Sequence, residues 1–402
     1  MKQDNTDRYL SWSTLALEQG LPGAVVDRDA LRANVETLYR LAQGKPIRVV
    51  TKSVRCPALL RWIMDTLGTH CAGLMAYHPN EAALLAEQFP EARILVAYPN
   101  TDPLHLARVC AAIGKGADIT LMVDDHAQLM PLEKAARNAS VRVPVCLDLD
   151  LSSRWPGLHF GVHRSPLRTV DQVVSLAKKV AESSCFRFWG LMGYEAQIAG
   201  VPDRLPGDRL HSGVVPWLKA ASRRHVKRFR AEVVLALSQA GMAPSGVNGG
   251  GTGSVAFTAG CPEVTEVAVG SGFFAPHLFD GYSGLDLAPA AGFVCRVERR
   301  SDARHVTVGG GGYVASGAPH ASRLPVPVWP NGLALDSLEG AGEVQTPLIG
   351  RGVASLRVGD AVVFRHAKAG ELCERFDRLI CIESGAVVAS VPTYRGLNWQ
   401  FL

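Results

Sequence analysis

Between about residues 22 and 275, short apolar runs rich in β-branched residues alternate with amphipathic stretches of helical spacing, and this alternation limits the fold more than any other feature. A helix that returns to the sheet its strand has just left makes the next strand parallel, so the pattern predicts βα units around a parallel sheet. Ala24-Val25-Val26 reads as the first strand, and Leu31, Val35, Leu38 and Leu41 then recur near helical spacing. Ile47-Arg48-Val49-Val50-Thr51 reads as a second strand delivering Lys52 at its end, and Pro57 opens the next helix, where its missing N–H costs nothing. Further runs at 94–97, 119–123, 143–147, 188–192 and 264–269 bring the count near the eight strands that close a barrel. After roughly residue 285 helical spacing stops, and runs such as Gly292–Val297 and Ala361–Phe364 are broken by Gly and Pro. The expected class is α/β: a (β/α)8 TIM-type barrel over residues 1–280, then a C-terminal β domain over 281–402, with residues 1–21 able to pack with the β domain.

The length of 402 residues fits such a pair better than one core. A net charge of +5 is small for this length, and the densest basic stretch, Lys219 to Arg230, wraps around a predicted helix without stacking aromatics. It reads as a solvated face, which argues against a nucleic-acid partner. The nine cysteines include no CxxC pair, so neither a disulfide framework nor a zinc ribbon is indicated. Met1-Lys2-Gln3-Asp4-Asn5 lacks an apolar signal core, and no apolar run is long enough for a bilayer, so a soluble cytoplasmic protein with no membrane partner is expected.

In parallel α/β folds the working groups collect at the C-terminal ends of strands. A lysine placed there after Val49 and Val50 would be partly desolvated, which makes its amine a nucleophile toward an aldehyde. Taken alone, such a lysine is more often a surface loop residue. Two glycine segments alter the balance. Asn248-Gly249-Gly250-Gly251-Thr252-Gly253-Ser254 has the make-up of a phosphate cradle, and Gly270-Ser271-Gly272 follows the next predicted strand. The first segment fits neither the dinucleotide nor the P-loop pattern. The alternative is a pair of tight turns, and a third run, Gly309 to Gly312, reads as a turn or bulge.

The order Leu21-Pro22-Gly23-Ala24-Val25-Val26-Asp27, Thr51-Lys52-Ser53, Gly193-Tyr194-Glu195, Gly249-Gly250-Gly251-Thr252-Gly253, then Thr265-Glu266 with Gly270-Ser271 resembles the D-threonine aldolase and D-serine dehydratase group, with its alanine-racemase-like, type III pyridoxal 5'-phosphate (PLP) fold. The resemblance implies a PLP-dependent lyase acting on a small D-3-hydroxy amino acid, with Lys52 carrying the cofactor as a Schiff base. It implies that Gly250, Gly251, Thr252, Gly253, Gly270 and Ser271 hold the phosphate and that Tyr194 lines the ring. Arg154 and Arg164 suit a substrate carboxylate, since a planar guanidinium grips it with two bonds, although either also reads as a solvent-facing loop residue. Gln197 falls on the substrate side, where the group more usually has glycine and histidine after the tyrosine. His159 and His163 lie four apart but lack a third metal ligand.

The group often carries a divalent metal on His-x-Cys or His-x-Asp near the C-terminus. Here the segment runs His366-Ala367-Lys368-Ala369-Gly370-Glu371-Leu372-Cys373. A protonated lysine cannot bind a cation, so either His366 works with Cys373 or Glu371, or no metal binds and Lys368 supplies the charge. His366 is also the candidate base for the substrate hydroxyl, and a homodimer is implied by resemblance alone. Three other readings remain open: an amino-acid racemase of the same fold, a non-catalytic PLP-binding protein, and a sugar-phosphate barrel enzyme using the same loops.

Overall fold

The structure, a computed structural model, describes residues 5–204 and 209–402. Eight parallel strands close a barrel in chain order: Ile47–Val50, Cys71–Ala76, Ile94–Val96, Ile119–Val123, Val143–Leu149, Phe186–Gly193, Gly246–Gly249 and Glu266–Val269. Every neighbouring pair is parallel, and the last strand bonds back to the first through Val267 and Ile47. Because all eight run the same way, their C-terminal ends share one face. Helices between them bury their apolar faces on the barrel; in Val170–Glu182, for example, the buried residues are Val173, Leu176, Ala177 and Val180. Pro57 does open its helix, Pro57–Leu67.

A nine-stranded, mostly antiparallel sheet forms the second part. It includes Ala291–Arg300, Ala361–Arg365, Arg378–Glu383 and Ala386–Pro392. The strand read as the barrel's opening, Gly23–Asp27, belongs to this sheet instead, antiparallel to 291–294 and parallel to 379–382. All five of its residues are buried, so its composition resembles that of a barrel strand although its partners differ. Helix Thr6–Gln19 lays Trp12, fully buried, over the same sheet beside Val25, Val294 and Val363. Met1–Asp4, read above as a polar start, lie outside the described residues.

The basic stretch needs correcting as well. It is helical, within Arg209–Gln239, and Arg223, Arg224, Lys227 and Arg228 are exposed, but Lys219 and Arg230 are 2% and 1% exposed. Lys219 pairs with Asp203 at 2.6 Å and Arg230 faces Glu195 at 3.4 Å, so these two cations anchor the helix inward. The run Gly309–Gly312 leaves the strand His305–Gly309 as a turn, with positive φ at Gly310 and Gly311.

Candidate active site

A cavity of about 650 Å³ opens where the barrel strands end. Lys52 reaches it from a single 3-10 turn, Thr51–Ser53, that follows the first barrel strand. Its Nζ donates to the Tyr98 hydroxyl at 2.7 Å. Burial raises the Tyr98 phenol, but the Lys52 charge and hydrogen bond, helped by Arg164, outweigh this and hold it below its usual range. Tyr98 was missed in the sequence, although it follows the run Ile94–Ala97 by one residue and so obeys the same strand-end rule.

In the same cavity lie the loops after the seventh and eighth strands, the pair that commonly binds phosphate in such barrels, the second of them against Ser53 beside Lys52. Gly250, Gly251, Thr252, Gly270 and Ser271 all line the cavity. The loops are bound to each other: Gly272 N donates to Thr252 Oγ1 at 2.9 Å, and Ser271 Oγ lies 3.3 Å from Ser53 Oγ. Gly250 has φ +92°, and a Cβ on Gly251 would lie 2.9 Å from Ala199 Cβ and 3.1 Å from Tyr194 Cε2. A Cβ on Gly270 would sit 2.6 Å from Ser53 Oγ. Bare backbone N–H groups at this mouth, with two hydroxyls, are what a phosphate needs. The residues therefore fit PLP. Gly253 does not line the cavity; its space is taken by Tyr282 and the Ala199 carbonyl, so its role is close packing.

Buried Glu195 holds the cradle from behind. It accepts from Gly250 N at 2.9 Å and from Thr258 Oγ1, with Arg230 beside it. Glu195 belongs to the Gly193-Tyr194-Glu195 motif that carries the resemblance, and the structure gives it this supporting job. Tyr194 lines the cavity, and burial pushes its phenol up to about 12, so it stays neutral. The Arg164 guanidinium lies over both Tyr98 and Tyr194, 5.6 and 5.5 Å from their centroids. Gln197 lines the cavity too, donating to Leu151 O at 2.6 Å while its Oε1 is buried without a partner. His159 also lines it and stacks on His163 at 3.9 Å.

Three expected residues are elsewhere. Arg154 lies in a separate surface depression with Arg168 and Arg224, paired to Asp150 at 3.7 Å. The antiparallel ribbon Ser153–Trp155 with Leu158–Phe160 turns it away from Lys52. His366 is 3% exposed and absent from the Lys52 cavity. Burial, with Arg365 and His277 nearby, lowers its pKa to about 3, so this imidazole stays neutral; it lines a neighbouring cavity that shares Ala367 and Lys368 with that of Lys52. Cys373 is fully buried, donates to Val54 O at 3.2 Å, and burial raises its thiol well above normal. Among the described residues no group of three or more His, Cys, Asp or Glu side chains gathers to hold a metal. Lys368, by contrast, does line the cavity.

Comparison with solved structures finds a D-threonine aldolase from Filomicrobium marinum at TM-score 0.80 and 21% identity, covering 94% of this chain and 95% of that one. D-threo-3-hydroxyaspartate dehydratase from Delftia sp. HT23 follows at TM-score 0.76 and 17% identity, covering 94% and 98%. In sequence, the 3-hydroxy-D-aspartate aldolase of Paracoccus denitrificans is 26% identical over 258 residues, 62% of this chain and 59% of that protein. The D-threonine aldolase of Arthrobacter sp is 23% identical over 254 residues, 62% of this chain and 60% of that protein. The match thus spans about three-fifths of these curated relatives. The family model for the alanine racemase N-terminal domain matches residues 26–276, which takes in the whole barrel, Lys52 and both glycine loops, and the chain belongs to that family.

Proposed function

We propose that this protein is a PLP-dependent lyase acting on a small D-3-hydroxy amino acid, with the cofactor joined to Lys52. The observation that carries the reading is the placement of Lys52 Nζ in one cavity with the two glycine loops that follow the seventh and eighth strands. When bound there, the cofactor would draw off the electron pair of a bond broken at the substrate's Cα. Gly251, Thr252, Gly270 and Ser271 would take its phosphate, and Tyr194 would lie along its ring. Arg164, presented between two aromatic rings, suits the α-carboxylate. Tyr98, whose phenol the Lys52 charge holds below its usual range, can as its phenolate accept the proton that Lys52 must shed before its amine acts as a nucleophile. With His366 outside the Lys52 cavity, Lys52 and Tyr98 are the groups best placed to move protons beside the substrate. Relatives named as aldolases and as a dehydratase support the lyase class.

Borohydride reduction of the purified protein followed by peptide mapping tests the reading, and the expected result is cofactor fixed on Lys52. Cofactor on another lysine, or none at all, would overturn it. Turnover assays with D-threonine and D-serine then separate bond cleavage from loss of the hydroxyl. A homodimer is part of the proposal and is checked by light scattering.

A further inference from the structure

The β-domain wall of the Lys52 cavity carries charge that the function above does not use. Its loops bring Arg323 and Lys368 to the cavity. Lys368 Nζ is fixed from behind, donating to Ser316 O at 3.2 Å and approaching Ser316 Oγ at 3.1 Å. Ser316 is pinned in turn, its N–H shared by the two Glu371 carboxylate oxygens at 3.2 and 3.0 Å. This ammonium therefore has a defined position. Arg323 is held at its backbone, where Ala315 N donates to its carbonyl at 2.9 Å, while its buried Nε has no hydrogen-bond partner.

The two cations flank consecutive residues of one loop: Lys368 Nζ is held by Ser316, and the Arg323 guanidinium lies against Gly317, the next residue. Burial lowers the Lys368 pKa, Glu371 opposes this, and Arg323 and Lys52 add to the lowering. Like charges held this way destabilise one another until an anion joins them. No Asp or Glu stands among the described residues that line the cavity, whereas Lys52, Arg164, Arg323 and Lys368 all do. The phosphate is served by loop N–H groups and the α-carboxylate by Arg164, which leaves Arg323 and Lys368 for one more anion. A guanidinium fork with an ammonium beside it matches a carboxylate.

We propose that Arg323 and Lys368 form a subsite for a second carboxylate, so that the preferred substrate is a dicarboxylic D-3-hydroxy amino acid; this rests on the Lys52 cavity being the active site. The pair determines specificity through the charge at the far end of the substrate, away from the bonds that break.

The test compares binding of succinate and butyrate, chains of equal length with two carboxylates or one, to the cofactor-loaded protein by calorimetry. Wild type should bind succinate about tenfold more tightly or better, and Arg323→Met and Lys368→Met should each remove most of that preference, as expected for losing a charge-assisted hydrogen bond. In parallel, the kcat/KM ratio of D-3-hydroxyaspartate to D-threonine should fall in both variants. Equal binding of succinate and butyrate by wild type, or a preference that survives both substitutions, would overturn the subsite. Circular dichroism checks folding of each variant. Borohydride labelling of Lys52, scored on the same samples, registers a failure of the active-site reading separately.

Discussion

On the barrel wall of the cavity, Gly250 N is bonded to Glu195, Gly272 N to Thr252 and Ser271 to Ser53, and Glu195 also takes Thr258 and Arg230. On the β-domain wall, Arg323 Nε has no partner, and both ring nitrogens of His366 behind that wall lack one. The barrel side has open atoms of its own, Gln197 Oε1, Asn248 Oδ1 and both ring nitrogens of His159 at the cavity and Arg230 Nε and Nη1 behind it, so the closed bonds are those of the two glycine loops. A wall whose hydrogen bonds close on themselves keeps its shape before a ligand arrives, as a cofactor cradle must. A wall with open donors takes its missing partners from whatever binds. The same contrast fits a cofactor that stays and a substrate that comes and goes.

The largest effect should come from Lys52→Ala, which removes the one barrel-wall group able to bond covalently. Borohydride should then fix no cofactor, and turnover should fall about a thousandfold or more, the scale seen when an essential nucleophile is lost. Retained turnover with a normal label elsewhere would move the centre of the comparison off Lys52.

Glu195→Ala breaks the closed wall itself. It leaves Arg230 buried without its counter-charge and the Gly250 N–H and Thr258 hydroxyl without an acceptor, so unfolding free energy should drop by about 3–5 kcal/mol in urea titrations. Lys368→Ala, on the open wall, should cost less than about 1 kcal/mol. Equal losses for the two would erase the distinction between the walls.

The region behind the open wall predicts an acid sensitivity. His366 stays neutral in the folded protein down to about pH 3, while in the unfolded chain it takes a proton near its usual 6.5. Between those values the unfolded state binds more protons, so stability is fully present above 6.5 and falls as the pH drops through the window. By pH 5 the share from this residue is about 2 kcal/mol. His366→Leu should lose correspondingly less stability between pH 6.5 and 5. A variant that declines as steeply as wild type would show that the imidazole is not kept neutral.

The closed wall was largely legible in the sequence, and the open one was not. Lys52 and the two glycine loops follow barrel strands directly, so the strand-end rule places them without knowledge of distant contacts. The same rule would have found Tyr98. Strand Cys71–Ala76 was passed over because Cys-Ala-Gly-Leu-Met-Ala has no β-branched residue, and only its neighbours at 47–50 and 94–96 make it a strand. Gly23–Asp27 shows the reverse: it was recognised as a strand but given the wrong sheet, because buried strands read alike whichever partners they take. Arg154, His366 and Cys373 failed for a further reason. Their side-chain directions depend on a ribbon, on the end of a strand paired on both sides and on how the β domain packs against Val54, and none of these has a local sequence signal. Glu195 and Arg230 read as one residue of a motif and a solvated cation, and only the fold brings them together.

The smallest expected effect concerns the contact between Lys52 and Tyr98. Burial alone would raise the Tyr98 phenol, and it is the Lys52 charge and hydrogen bond that bring it below its usual range. Replacing Lys52 with Met removes both of these influences and leaves burial in control, so Tyr98 should ionise at higher pH than in wild type. Followed at 295 nm in cofactor-free protein, the change is confined to one phenol of eight. Tyr98→Phe identifies it, since the component that moves must be missing from that variant. If Lys52→Met leaves the titration unchanged while Tyr98→Phe still deletes a component, Tyr98 is not coupled to Lys52, and the proton route proposed between them fails.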